Sequence, residues 1–240
     1  MRRQQDSFPQ PDPEPLLLIE VPWVRRLLGI VATIFIGLLI HRFGLWPDRP
    51  AEPEPIKPTT VHMHAPLRPG SPRDVPGLEG IPNVLVAYYD IDATDARGIK
   101  AEIAAKRPED GFRHRYDALT SWNYSWHWDG TSDGSCGVGA AVVEFNAQMQ
   151  LPRLAHRQAV NPAVASAWDR YITALKKHEA NHVRQAWQGR EWVTNEVRNS
   201  TCDQANRAGR RAIADIQVQS DNYDDYTHHG EIEGAVFKVG

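Results

Sequence analysis

Two histidines and a glutamate in the stretch HEANH, residues 178–182, carry the clearest chemistry in the chain. His178 and His182 stand four residues apart, so on a helix both project from one face, a turn apart. Two imidazoles placed this way can give two nitrogens to one tetrahedral zinc. Glu179 lies one residue further on, beside such a metal but not on it. There a carboxylate can take a proton from an attacking water. The bland alternative is a pair of core histidines satisfied by hydrogen bonds. The apolar stripe Trp168, Tyr171, Ile172 and Leu175 runs on into His178 and His182, so both are expected to face inward.

A zinc site needs a third ligand, and the downstream sequence narrows the choice. Glu196 is the one glutamate of interest on the helical stretch that follows, but its own helix carries it away. In the pattern H-E-x-x-H-x-x-G-x-x-H the glycine and last histidine fall on Gln185 and Gln188, and no methionine follows Met149 to build a methionine turn. That leaves DNYDDYTHHG, residues 221–230, where a loop folding back could offer His228 or His229, with a Tyr or Asp behind it.

The elements that must position these residues follow from local pattern. NVLVAYYDIDA is β-rich, and TDARGIKAEIAAKRP reads as a helix capped by Thr94 or Asp95 and stopped at Pro108. LTSWNYSWHWDG alternates, placing Trp122, Tyr124, Trp126 and Trp128 on one face as core. CGVGAAVVEFNAQMQLP is read as alternating at Val138, Ala140, Val142 and Glu144 and ending at Pro152. The turn-rich DGTSDGSCG between them predicts a hairpin. From Asn161, an N-cap followed by Pro162, a long helix carries HEANH past Gly189, and a second helix is expected over roughly Cys202–Val218. Strands first and helices second predict an α+β domain.

Composition divides the 240-residue chain into segments. Residues 1–26 are polar, and LLGIVATIFIGLLI, Leu27–Ile40, is free of charge. Extended to Trp46 it approaches the ~20 apolar residues of a membrane span. The long leader and the lack of an A-x-A cleavage pattern favour an uncleaved signal anchor over 27–46; a cleaved signal and a core helix are the alternatives. Arg2, Arg3, Arg25 and Arg26 before the span, against Arg42 and Arg49 after it, keep the N-terminus cytoplasmic and export the rest. The expectation is therefore a single-pass protein of the inner membrane, its C-terminal domain periplasmic. Residues 47–82 hold ten of the eighteen prolines and read as an extended linker. The globular domain is then 83–240. A net charge of −3 gives no reason to expect a nucleic-acid partner.

YYDIDA, SWNYSWHW, LPR, HEANH, two separated cysteines and YDDYTHHG together resemble a bacterial domain-of-unknown-function family whose members are predicted to be secreted zinc-dependent proteases. The resemblance runs from about Val84 to Gly230 and implies a zincin-like domain, a small sheet with a long active-site helix. Its closing pattern Y-D-x-x-T-x-H-G falls on Tyr223, Asp224, Thr227, His229 and Gly230 and selects His229 over His228 as third ligand. Asn181 stands where glycine is common in that family. An exported domain also allows Cys136 and Cys202 to pair.

The expected function is a zinc metallopeptidase of the cell envelope: Zn²⁺ on His178, His182 and His229, Glu179 as base, Tyr223 beside the developing oxyanion. Its substrate would be a protein or peptide, cell-wall peptide included. The alternative is a non-catalytic, membrane-anchored binding or scaffold module with a structural zinc.

Overall fold

A 37-residue helix, Pro162–Arg198, is the axis on which the rest is laid. The computed structural model describes residues 65–130 and 136–239, all within the unit Pro53–Gly240. The expected anchor and its cytoplasmic leader lie outside the described residues. Among those described, no helix is long and apolar enough to cross a membrane.

Among the described residues the architecture is α+β, with one small sheet and three α-helices. The strands are β1 (Leu67–Gly70), β2 (Val84–Ile91), β3 (Leu119–His127) and β4 (Val142–Leu154). Their order across the sheet is β1-β2-β4-β3, with β2 and β4 parallel and both outer pairs antiparallel. The helices are α1 (Ala96–Lys106), α2 (Pro162–Arg198) and α3 (Ala205–Thr227). Asp95 caps α1 by accepting from the backbone of Arg97 and Gly98, and Asn161 caps α2 in the same way, with Pro162 at its first position.

Part of the Pro-rich segment is packed into the fold. Leu67–Gly70 pairs with β2 as an edge strand, and Val75 and Leu78 are buried at 1% and 3% exposure. Pro66 and Pro69 are tolerated because an edge strand has one side free of the ladder. Proline content hid the Leu67, Val75 and Leu78 anchors, so the packed domain includes residues ahead of 83.

The β3–β4 hairpin forms as expected, but β4 faces the other way from the sequence reading. Val138–Ala140 turns as a 3₁₀ helix, and the strand that follows buries Val143, Phe145, Ala147, Met149 and Leu151. A one-residue offset of this kind exchanges the two faces of a strand. Pro152 does not end β4. The odd-numbered amides of β4 bond to β2, as Ala147 N to Asn83 O and Ala155 N to Ile91 O do. Pro152 therefore sits on the β3 side, past the Leu119–Gln150 pair where β3 begins, and no ladder N–H is missing there.

α2 packs on β3 and β4 and against α3. Tyr124, from the aromatic strand, is buried and donates its hydroxyl to Ala186 O. Trp122, Trp126 and Trp128 pack on the same core, as the alternation predicts. α3 contributes Ala205, Gly209, Ala212, Ile216 and Ser220 to the contact. Gly189 sets how close the two helices lie: a Cβ there would come within 2.5 Å of Ile216 Cδ1. The helix runs straight through this glycine, which serves contact and not termination.

Cys136 and Cys202 form a disulfide, Cα–Cα 6.1 Å, joining the approach to β4 to the α2–α3 connection across 66 residues of sequence. A loop of that length, cross-linked, restricts the unfolded chain strongly. Replacing both cysteines with serine is expected to lower unfolding free energy by about 2–4 kcal/mol. The check is a lower urea midpoint; an unchanged midpoint would mean that the bond constrains the unfolded chain little.

Candidate metal centre

His178 and His182 are where the stripe places them, buried on α2 at 3% and 6% exposure. Their Nε2 atoms are 3.2 Å apart. Each is also 3.0 Å from a single oxygen, Oδ1 of Asp224 on α3. Among the described residues these three side chains form the group whose donor atoms could hold a metal ion. Ligands about 2.0–2.2 Å from a tetrahedral centre stand a little over 3 Å from one another, so the triangle has the right size.

The back of each ring settles its orientation. His178 Nδ1 donates to Glu233 Oε2 at 2.9 Å, and His182 Nδ1 meets Ser220 Oγ at 2.7 Å. Without a metal, an Nε2–H of these rings donates to Asp224 Oδ1; with Nδ1 carrying the proton instead, each Nε2 would offer its lone pair to an ion in that place. Metal-bound histidines are commonly held in this way, by an acceptor behind the ring. The donor set, two imidazoles and a carboxylate, thus fits a divalent ion of the zinc type.

Asp224 is the residue the sequence reading left in the background. The second helix was expected to end near Val218; it continues to Thr227, so the YDDY segment is helical and not a returning loop. The buried positions 205, 209, 212, 216 and 220, extended by three or four, reach Tyr223 and Asp224. Following that stripe would have marked Asp224 as an inward carboxylate. His228, His229 and Gly230 then take left-handed backbone conformations in succession, and the chain reverses. This turn carries His229 to the rim, with its side chain 55% exposed and Nδ1 3.6 Å from Asp224 Oδ1. Its ring lies against Tyr116, centroids 5.1 Å apart. The third corner of the triangle is therefore Asp224, with His229 just outside it; His228 is exposed at the C-cap.

The same reversal delivers Glu233 to His178. Gly230 lets it happen: its φ is +80°, and a Cβ there would lie 2.9 Å from His178 Cγ. Tyr223 has a different place from the one expected. Its ring stacks on His178, centroids 5.0 Å apart, and its hydroxyl donates to Glu233 Oε2 at 2.8 Å. Asn181 Nδ2 donates to that hydroxyl at 2.6 Å. Burial, then the Glu233 and Asp224 carboxylates, push the phenol further up. Tyr223 therefore holds the carboxylate that holds His178, and its hydroxyl is taken up behind the ring.

Glu179 is buried on the same helix at 6% exposure, and its backbone carbonyl accepts from Thr120 Oγ1 at 3.4 Å. Desolvation raises its carboxyl above the ordinary value, against the pull of the two histidines. Burial opposes charge on His178 too, but Asp224, Glu179 and Glu233 outweigh it and raise its pKa. Burial alone would raise Asp224; hydrogen bonds from His178 and His182 overcome it and hold Asp224 well below the usual carboxylate range.

These directions fix a pH dependence for metal-free protein. The raised groups, His178 and Glu179, contribute stability at low pH that is lost as pH rises through their folded values. Asp224 contributes stability above its ordinary value of 3.8, lost as pH falls. Chelator-treated protein should be most stable in mild acid, its urea midpoint falling toward pH 8 and again well below about pH 4. Adding excess zinc should remove the loss on the alkaline side, since metal binds deprotonated imidazole. A flat profile without metal would show that the ion pair adds nothing to folding.

No curated protein and no solved structure matches the chain. A family profile does, over residues 86–230, which take in both histidines, Glu179, Asp224 and His229 and stop short of Glu233. On that match, the chain belongs to the DUF922 family, described as bacterial protein of unknown function.

Proposed function

We propose that this domain is a zinc-dependent peptidase, acting in the bacterial cell envelope on protein or cell-wall peptide. The observation that carries the reading is the convergence of His178 Nε2, His182 Nε2 and Asp224 Oδ1 within 3.2 Å, each imidazole backed by an acceptor, with Glu179 next along the helix.

When bound, zinc supplies Lewis acidity, polarising a carbonyl and lowering the pKa of a coordinated water toward about 7. The protein's part lies in its own residues. Glu233 and Ser220 meet the Nδ1 atoms of His178 and His182, so that with Nδ1 protonated both Nε2 lone pairs would be turned to the metal. Asp224 brings the negative charge that favours a dication over protons. Glu179 takes the proton of the attacking water and passes it to the leaving nitrogen, a role suited to a buried carboxylate of raised pKa. Its backbone is tied to Thr120 at the start of β3, an outer strand with one edge unpaired among the described residues. An extended substrate pairing with that edge would run past the cluster. The charge-free stretch before residue 47 supports a membrane-anchored, periplasmic placement for the domain.

Purified protein should hold close to one zinc per chain by elemental analysis, lost on His182→Ala or Asp224→Ala. Glu233→Gln should keep the fold and weaken zinc binding about 10- to 100-fold against a competing chelator. His229→Ala should leave the zinc in place; losing it would make His229 a ligand after all. Glu179→Gln should retain zinc yet lower hydrolysis by about 10²–10⁴-fold. Zinc without hydrolysis of any peptide in a broad library would favour a binding or scaffold module with a structural metal, and a chain without metal would remove the proposal.

A further inference from the structure

The connection between α1 and β3 is a short, heavily braced arm whose apolar tip stands largely exposed. Asp110 Oδ1 accepts from the backbone of both Phe112 and His114 at 2.8 Å, and Asp110 N donates to His114 O at 2.9 Å. Glu109 bridges to Arg115, Arg115 donates to Ala105 O at 2.7 Å, and Tyr116 N donates to Pro108 O at 3.2 Å. Arg113 makes the turn with φ at +71°. So many bonds fix the arm, yet they leave Phe112 84% exposed.

The rings on this arm form a row. Phe112, His114 and Tyr116 alternate along the chain, and neighbouring centroids are 6.5 and 6.4 Å apart. Tyr116 continues the row to His229 at 5.1 Å, and His229 Nδ1 is 3.6 Å from Asp224 Oδ1. The inner end of the row is therefore the metal centre and the outer end is solvent. Side chains two residues apart in an extended peptide recur every ~6.6–6.8 Å, close to the spacing of these rings. Apolar side chains seated on aromatic faces gain both burial and ring contact. An arm ordered in advance loses little entropy when a ligand lies along it.

We propose that Phe112, His114 and Tyr116 form an aromatic rail that seats alternate apolar side chains of an extended peptide on one side of the bond to be cut. This rests on the peptidase reading above and adds a substrate class to it: peptides with bulky apolar residues at every second position. A membrane surface would also meet an exposed phenylalanine, but the row leads inward to the cluster, which a lipid contact does not explain.

The test uses zinc-loaded full-length protein carrying Glu179→Gln, so that a labelled peptide is bound and not consumed. Two peptides of equal length are compared by fluorescence anisotropy, one with Leu or Phe at alternate positions and one with Ser there. The apolar peptide should bind more tightly, and Phe112→Ala should weaken it roughly tenfold, with zinc content unchanged. In the active protein the same substitution should raise KM and leave kcat alone. Equal binding of the two peptides, no binding of either, or no effect of Phe112→Ala overturns the rail. So does loss of binding to anionic vesicles in Phe112→Ala while its peptide affinity stays the same. Peptide bound through Phe112 by a protein that never cleaves it keeps the rail and overturns the peptidase. Cleavage that ignores Phe112→Ala does the reverse.

Discussion

Two imidazole nitrogens and a carboxylate oxygen cannot face one another across about 3 Å in a buried place unless something electropositive, a ring N–H or a cation, stands between them. Protons can supply it, giving an imidazolium beside Asp224, or a dication can. Both Nδ1 atoms meet partners, Glu233 and Ser220, that would leave the Nε2 atoms free for a dication. Glu233 gives His178 a second carboxylate, which in metal-free protein favours the imidazolium. The rest of the molecule reads as the means of keeping these groups at that distance. α2 supplies the histidines and Glu179 with spacing set by its own backbone. α3 must then approach closely enough for Asp224 to reach them, and Gly189 admits Ile216 to make that possible.

How much of this was legible depended on whether a residue's role was local. The pair His178/His182, the cap at Asn161 and the aromatic core of β3 follow from period and neighbours, and all stand in the structure. Where a reading failed, something outside the segment decided the matter. β4 changed face because a 3₁₀ turn at Val138–Ala140 shifted its start. The domain began early because Leu67 found β2 as a partner, which no count of prolines can show. Asp224 was overlooked because α3 was expected to stop near Val218, which turned a helical carboxylate into part of a loop. Glu233 lies past the end of the matched family pattern and depends on three successive left-handed residues. Of those three, Gly230 alone advertises such a conformation.

The site therefore has two grades of robustness. His178, Glu179 and His182 keep their mutual geometry as long as one turn of α2 stays helical, whatever happens around it. Asp224, Ser220 and Glu233 reach the site through α3 and the turn after it, so their placement depends on tertiary packing. Loosening the α2–α3 contact would leave a histidine pair on a helix, able to hold a metal weakly but with no carboxylate to favour it over protons. The buried carboxyl of Glu179 adds to this dependence. Desolvation raises its pKa in the absence of a cation, and a dication beside it would draw it back toward the ionised form that a general base needs. In the proposed peptidase, the placement of Asp224 and the ionisation of Glu179 are thus linked through one charge. The sequence places Glu179 on α2 and Asp224 on α3, so the packing of the two helices controls both.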